Sequence, residues 1–405
     1  MNFPYFLAKR LTIEGKRTFS KMIVRLTIGA LALAIIAIIL SLAVLNGFKN
    51  EVTAKQRGFF GDIWITKQSL NYSPESSPFS LKTEEIKKIK KEANVSHIAP
   101  IATKSAIMKV NEEVEGVLLK GIDETYDQGY VKDVLIEGEL LDFSKENIDE
   151  QLIVSKYTAN RLNLSLGDTF IMYFVQENIK PRRFYVSGIY STGSEDLDQT
   201  YVLGSLNLIR KLNQLTEGET GAYELRIKNF QEIEETTHRV NNTLPLEFSA
   251  VSIVEQMPEI FNWLNMLDIN DSIIFVLMSV VAVINMISAL LISILERAPM
   301  IGTLKALGMT NRNIRRVFIY NSAYLIGSGL LIGNVVSIAF YIFQNTTRFF
   351  KLDPQIYFIN YVPLQIGWQE VFALNILLIV IAVFSLLIPS MLITRISPIK
   401  TIQFK

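Results

Sequence analysis

The sequence predicts an α-helical membrane protein with four transmembrane helices in a 1+3 arrangement plus a large α+β extracytoplasmic domain. Three observations carry this. There are four apolar runs of bilayer length, a long polar segment of mixed strand and helix pattern separates the first run from the second, and basic residues crowd one side of the runs. With 49% hydrophobic residues among 405 and a positive mean hydropathy, the chain is richer in apolar side chains than a soluble domain needs.

Leu26–Leu45 and Ile273–Leu295 contain no ionisable residue, and each can cross the roughly 30 Å of hydrocarbon in a bilayer. Val317–Phe343 is also charge-free, interrupted by Asn321, Ser322 and a group of glycines. Val371–Ile393 is apolar apart from Asn375, Ser385, Pro389 and Ser390. The first run follows Lys16, Arg17, Lys21 and Arg25, as a signal peptide would. It is too long for a signal peptide core and lacks a small-residue cleavage pattern after it, so it reads as a retained span.

Net charge is +1, so nothing global points to nucleic acid. The distribution says more. Lys9, Arg10, Lys16, Arg17, Lys21 and Arg25 precede the first span. Arg297, Lys305, Arg312, Arg315 and Arg316 link the second and third, and Arg395, Lys400 and Lys405 follow the fourth. The positive-inside rule places all three groups in the cytoplasm.

The expected organisation is therefore a cytoplasmic amphipathic segment (1–21), a first span (22–47), a periplasmic α+β domain (48–268) and a second span (269–295). A cytoplasmic link (296–316), a third span (317–343), a short periplasmic loop (344–370), a fourth span (371–394) and a cytoplasmic tail (395–405) complete it. Phe3, Tyr5, Phe6, Leu7, Leu11 and Ile13 beside Lys9 and Arg10 suit either a surface-lying helix or a plain basic flank. The outer domain has no cysteine and must stand on its core.

Within that domain, Asp62–Thr66 alternates as a strand and Gln68–Ser80 reads as a polar loop. Thr83–Glu92 reads as a charged helix capped by Thr83. Val95–Ile101, Ser105–Val110 and Glu115–Ile122 read as strands. Gln151–Gly167 runs from strand to helix and ends in Leu-Gly-Asp, followed by a hairpin of Thr169–Val175 and Arg183–Tyr190. Strands Tyr223–Lys228 and Phe248–Ile253 flank a helix over Asn229–Leu244. Strands interleaved with helices make the domain α+β.

No phosphate-cradling G-x-x-x-x-G-K-[ST], no H-E-x-x-H and no G-x-S-x-G occurs. His97 and His238 stand apart without metal-ligand spacing, and no carboxylate pair is singled out. The reading is a non-enzyme with no catalytic or metal residues and no cofactor of its own.

The most informative segment is Glu296–Arg316 (ERAPMIGTLKALGMTNRNIRR). It is helical in pattern after Pro299, with an apolar stripe of Met300, Leu304 and Leu307 beside Lys305 and the cations Arg312, Arg315 and Arg316. Physics alone leaves two occupants open, a cytoplasmic protein or the anionic membrane surface. Gly329 and Gly333 form G-x-x-x-G with Gly327 nearby, and Ala30, Ala34 and Ala37 line part of the first span. These small residues suit close helix approach, within one protomer or across a subunit seam.

Asn285–Gly308 (NMISALLISILERAPMIGTLKALG) resembles the hallmark of FtsX-like ABC transporter permeases, in which a span runs into E-R-x-x-x-I-G-x-L-K-A-L-G. Tyr5–Leu11 (YFLAKRL), Leu119–Asp123 (LKGID), Ile153–Asp168 and Phe184–Asp198 (FYVSGIYSTGSEDLD) are similar to the lipoprotein-releasing, LolC/LolE-type branch. The resemblance implies a MacB/LolC-like outer domain and a permease that extracts lipoproteins from the outer leaflet of the inner membrane for delivery to the outer membrane. A separate cytoplasmic, LolD-like ATPase would hold ATP and Mg.

On that resemblance, the ATPase-coupling residues are Glu296, Arg297, Met300, Ile301, Gly302, Leu304, Lys305, Leu307 and Gly308. The lipoprotein- and lipid-contacting residues are Ile39, Leu42, Ala43 and Phe48 on the outer half of the first span. Implied partners are the ATPase, a second protomer, identical or paralogous, the lipoprotein, membrane lipid and a periplasmic LolA-like carrier. Where the carrier-recruiting subunit of that family has a protruding hook, this chain has only the turn Gln176–Pro181 (QENIKP), a departure that bears on carrier docking. MacB-like export and an FtsX-like relay to a periplasmic hydrolase share the architecture and stand as alternatives.

Overall fold

The computed structural model describes residues 4–7, 10, 18–68, 77–174, 181–353, 357 and 359–385. The chain divides into two compact units. One comprises Met1–Lys49, Trp263–Phe350 and Val362–Lys405, and the other Asn50–Asn262 with Lys351–Tyr361. In chain order the elements, short helical turns aside, begin with α1 (Thr18–Phe60), β1 (Ile63–Lys67), α2 (Thr83–Lys90), β2 (Val95–Val110), β3 (Glu113–Ile122) and β4 (Leu135–Gly138). They continue with β5 (Gln151–Ser155), α3 (Lys156–Arg161), β6 (Thr169–Phe174), β7 (Pro181–Tyr190), α4 (Glu195–Thr200), β8 (Tyr201–Ser205) and α5 (Leu206–Asn213). Then come β9 (Ala222–Ile227), α6 (Ile233–Asn241), β10 (Phe248–Ser252), α7 (Pro258–Glu296), α8 (Ala298–Ala306), α9 (Asn311–Thr347) and α10 (Trp368–Ser385).

The second unit is α+β, as expected. Its sheet runs β10-β1-β9-β2-β3-β8-β5-β7-β4, with β6 paired to both β2 and β7. The two strands expected at Val95–Ile101 and Ser105–Val110 are one strand, β2, which pairs with β9 over its first half and with β3 over its second. Thr103 and Lys104 read as a break by polarity, yet both are buried and stay in register opposite Lys120 and Leu119. A backbone ladder is indifferent to side-chain polarity when the side chains find partners.

The hairpin after Leu-Gly-Asp is present as antiparallel β6 and β7, and Pro181 opens β7 where no ladder donor is required. Of its turn, residues 175–180 lie outside the described residues, as do 69–76 of the expected polar loop. Thr83 is not the cap of α2. Lys82 holds that place, and its backbone N–H donates to Glu85 Oε2 at 2.8 Å, so the carboxylate rather than a hydroxyl closes the first turn. The helix expected over Asn229–Leu244 is shorter, because Asn229 accepts from the Gln231 N–H and diverts the chain into a 3-10 turn before α6.

The core between the sheet and helices α3 and α5 is built from side chains such as Leu152, Val154, Leu162, Met172, Phe184 and Ile209. Above it sits a buried ion pair. Lys120 and Glu224 are 1% and 2% exposed, and Lys120 Nζ donates to Glu224 Oε2 at 2.6 Å, to the Tyr126 hydroxyl at 3.1 Å and to the Phe59 carbonyl. All three ammonium donors are used. Burial pulls the Lys120 pKa down, and the facing Glu224 carboxylate more than offsets this, so the group stays charged. Asp198 is similarly enclosed and accepts from Thr192 N, Thr192 Oγ1 and Ser191 Oγ at 2.7–3.0 Å, which fixes the loop before α4.

In the first unit, α1, α7 and α9 are long and apolar enough to cross a membrane. A fourth apolar helix, α10, covers the described start of the run expected at 371–394, and residues 386–405 lie outside the description. Of the expected amphipathic segment 1–21, residues 4–7 are helical and Tyr5 meets Tyr320 of α9 edge-on at 5.7 Å; residues 1–3, 8–9 and 11–17 lie outside the described residues. Leu31, Ile35, Met286, Leu290, Ile326 and Leu378 meet in the bundle core.

A Cβ on Gly329 would lie 2.7 Å from the Leu31 side chain, and one on Gly333 would lie 2.7 Å from that of Ile35. The G-x-x-x-G pattern therefore seats α9 against α1 of the same chain. Asn334 Nδ2 donates to Asn375 Oδ1 at 2.8 Å and Asn375 Nδ2 donates back at 3.0 Å, which ties α9 to α10.

Two substitutions test these packings. Lys120→Met leaves the buried Glu224 carboxylate with only Arg226 Nη2, 3.5 Å from its Oε1, and is expected to cost about 3–5 kcal/mol; adding Glu224→Leu recovers part of it, as read by chemical unfolding of the full chain. Gly333→Ala is expected to lower stability by about 1–3 kcal/mol. Gly327→Ala, which meets no atom within 4 Å, is expected to be neutral or stabilising by up to ~1 kcal/mol. Equal effects in thermal unfolding would move the motif to a subunit seam.

Candidate functional site

The Glu296–Arg316 segment folds as the sequence dictates. Arg297 caps α8, Pro299 sits in its first turn where a missing N–H costs nothing, and the helix ends at Ala306. Met309 N donates to Leu304 O at 2.9 Å and Gly308 N to Lys305 O at 3.0 Å, the paired bonds of a Schellman cap. That cap needs a left-handed residue, and Gly308 supplies it at φ +89°. The chain then turns through Thr310 into α9.

The nine nominated coupling residues divide by exposure. Ile301 is fully buried and packs with Ile294 of α7 and with Ile314 and Phe318 of α9, while Gly302 is buried beside it. Leu307 is 80% exposed, Gly308 is exposed, and Met300, Leu304 and Lys305 are half-buried. The predicted stripe of Met300, Leu304 and Leu307 thus lies on the accessible side of α8, and Ile301 anchors the opposite side. The anchors Ile294, Ile314, Phe318 and Met309 were not singled out from sequence. Their signal was present in the i, i+4 spacing of Ile314 and Phe318 at the start of the third span.

The charges are lopsided. Arg312 and Arg316 are exposed, and Arg315 is half-buried with Nε enclosed and without a hydrogen-bond acceptor among the described residues. Glu296 Oε2 is likewise enclosed without a donor among the described residues. Loss of solvent lowers the Lys305 pKa from its ordinary value. An apolar ridge flanked by cations and by two groups short of a partner can seat a protein surface that carries acidic and apolar side chains.

The four nominated lipid-contacting residues are placed differently from one another. Ile39 and Ala43 are 2% exposed, and Ile39 belongs to the bundle core. Phe48 is buried edge-on against Trp263 at 5.3 Å, and Leu42 is half-buried. The Ala43 carbonyl accepts from Gln365 N at 2.9 Å. An acyl chain would reach Ile39, Ala43 and Phe48 only where these helices part.

Among the described residues no group of histidines, cysteines or carboxylates could hold a metal ion. His97 and His238 lie apart, the first bonded to the Thr125 carbonyl at 2.6 Å and the second to Asn242 at 3.1 Å.

Two family profiles match. The one described as MacB-like periplasmic core domain covers residues 25–243, and the one described as FtsX-like permease C-terminal covers residues 272–398. The chain is 21% identical to the lipoprotein-releasing system transmembrane protein LolC of Neisseria meningitidis serogroup B, over 98% of this chain and 97% of that one. It is 20% identical to LolE of Haemophilus influenzae over the whole of both chains. Among solved structures, the periplasmic region of MacB from Actinobacillus actinomycetemcomitans aligns with 51% of this chain and 95% of its own, at 15% identity and a TM-score of 0.34. With one profile spanning the first apolar run and most of the α+β unit, and the other spanning the remaining apolar helices and α8, the chain belongs to the FtsX-like permeases that carry a MacB-like periplasmic core domain.

Proposed function

We propose that this chain is the membrane subunit of a lipoprotein-releasing ABC transporter, extracting lipoproteins from the outer leaflet of the inner membrane for delivery to the outer membrane. The observation that carries the proposal is similarity to LolC and LolE proteins over nearly the whole length of both chains. Hydrolysis belongs to a partner ATPase, which holds ATP and Mg. The ridge of half-buried Met300 and Leu304 and exposed Leu307, with Lys305 and the flanking cations, is the surface on which that ATPase docks. Ile301, Gly302 and Gly308 shape the helix that presents it.

In this reading α10 is the fourth span, both termini are cytoplasmic and the α+β unit lies in the periplasm, as the positions of the basic clusters favour. Two protomers face each other, identical or paralogous. Each methylene of an acyl anchor is worth about 0.8 kcal/mol in the bilayer, so extraction needs both an apolar receiving surface and an external energy source. Ile39, Leu42, Ala43 and Phe48 form such a surface when the helices around α1 separate under ATP-driven motion. A LolA-like carrier would take the cargo onward.

Two experiments test this. Leu304→Asp with Leu307→Asp leaves the Ile301 anchor intact and is expected to reduce copurification of the ATPase about tenfold or more without preventing membrane insertion. Undiminished copurification would refute the docking surface. Depletion of the protein in its native cell, followed by separation of inner and outer membranes, is expected to leave acylated lipoproteins in the inner membrane. An unchanged distribution would favour export or signalling instead.

A further inference from the structure

Among the last turns of α1, helix α4 and the start of α7, all within the α+β unit, lies a cavity of about 480 Å³. That is in the range of roughly 300–1,000 Å³ typical of small-ligand sites. Phe60, Leu197, Met257 and Ile260 supply apolar wall. Among the described residues, the charged members of the lining are Asp196 and Glu259, both exposed carboxylates, with no lysine or arginine among them. Gln56 also lines it. Its side chain is 2% exposed, and its Oε1 is buried without a hydrogen-bond donor among the described residues. Buried acceptors in folded chains are nearly always satisfied, so an orphan beside a cavity points to a donor that arrives with a ligand.

We infer that this cavity binds an extended, positively charged peptide segment. Its backbone N–H groups supply the donor that Gln56 lacks, and its ammonium or guanidinium group faces Asp196 and Glu259. An anionic ligand would meet two carboxylates with no compensating cation, and a purely apolar one would leave Gln56 unsatisfied. Thr200 and Gln256 add polar atoms for the remaining peptide groups. The source of the segment rests on the release reading above: it is the stretch of cargo polypeptide that follows the acylated anchor.

The test uses the full chain in lipid nanodiscs and a short fluorescent Gly/Ser peptide carrying lysines, with a matched peptide carrying glutamates. Preferential binding of the lysine peptide is expected. Asp196→Asn with Glu259→Gln should weaken it roughly three- to tenfold. Gln56→Leu should weaken it too while leaving unfolding unchanged or shifted toward greater stability, which a merely structural glutamine would not do. Equal binding of the two peptides, or binding indifferent to all three substitutions, overturns the inference. So does displacement of the peptide by amine-headgroup lipid but not choline lipid, which would make the occupant a lipid.

Cells separate the two readings. If depletion of the chain strands lipoproteins while the Asp196→Asn, Glu259→Gln chain restores their release fully, the cavity assignment falls and release stands. If depletion strands nothing, release falls whatever the peptide does.

Discussion

A polar group taken out of water must be met by another, and the architecture follows from how this chain meets that demand in two solvents. In the α+β unit the demand is plain at Lys120, whose ammonium is buried and uses each of its donors on Phe59, Tyr126 and Glu224. Three segments distant in sequence are fixed by one side chain. In the bundle, apolar side chains gain nothing by leaving lipid for one another. There the reciprocal amide bonds of Asn334 and Asn375 and the close approach of Gly329 and Gly333 to α1 give the helices their register.

The same demand explains what could be read from sequence. Apolar runs long enough for lipid have few competing interpretations, so the helices that became α1, α7 and α9 were legible, as was the hairpin of β6 and β7. Less legible were β8 and α5. Tyr201–Ser205 is nearly all buried and shows no alternation, and it takes its strand character from the parallel pairing with β3 rather than from its own pattern. The continuity of β2 was hidden because Thr103 and Lys104 look like loop residues until their surroundings are known. The ends of α1 and α7 were hidden for a related reason, since both helices run past the apolar stretch and polarity marks the lipid boundary, not the helix boundary.

In the segment Glu296–Arg316, resemblance named a set of residues and geometry sorted them. Ile301, Gly302 and Gly308 fold the segment: the first two are its buried anchor, and the third closes it through a left-handed cap. Met300, Leu304 and Leu307 are what the segment offers. The matched signature therefore mixes residues that shape the segment with residues on its accessible side, and burial together with backbone conformation tells them apart. Gln56 was overlooked for the opposite reason, being an unremarkable glutamine near the end of an apolar helix until its orphaned oxygen was seen beside a cavity.

The placement of β1 bears on how the protein is made. Ile63–Lys67 is the first strand to be synthesised, yet its two neighbours in the sheet are β9 and β10, the last. Through translation of nearly the whole α+β unit, β1 has both edges open while the apolar helix before it already seeks the bilayer. A chain truncated before Ala222 would present a bare strand with nothing to pair it, the state most open to aggregation and proteolysis. The sheet around β1 therefore closes only when the last two strands of the unit, β9 and β10, have been made.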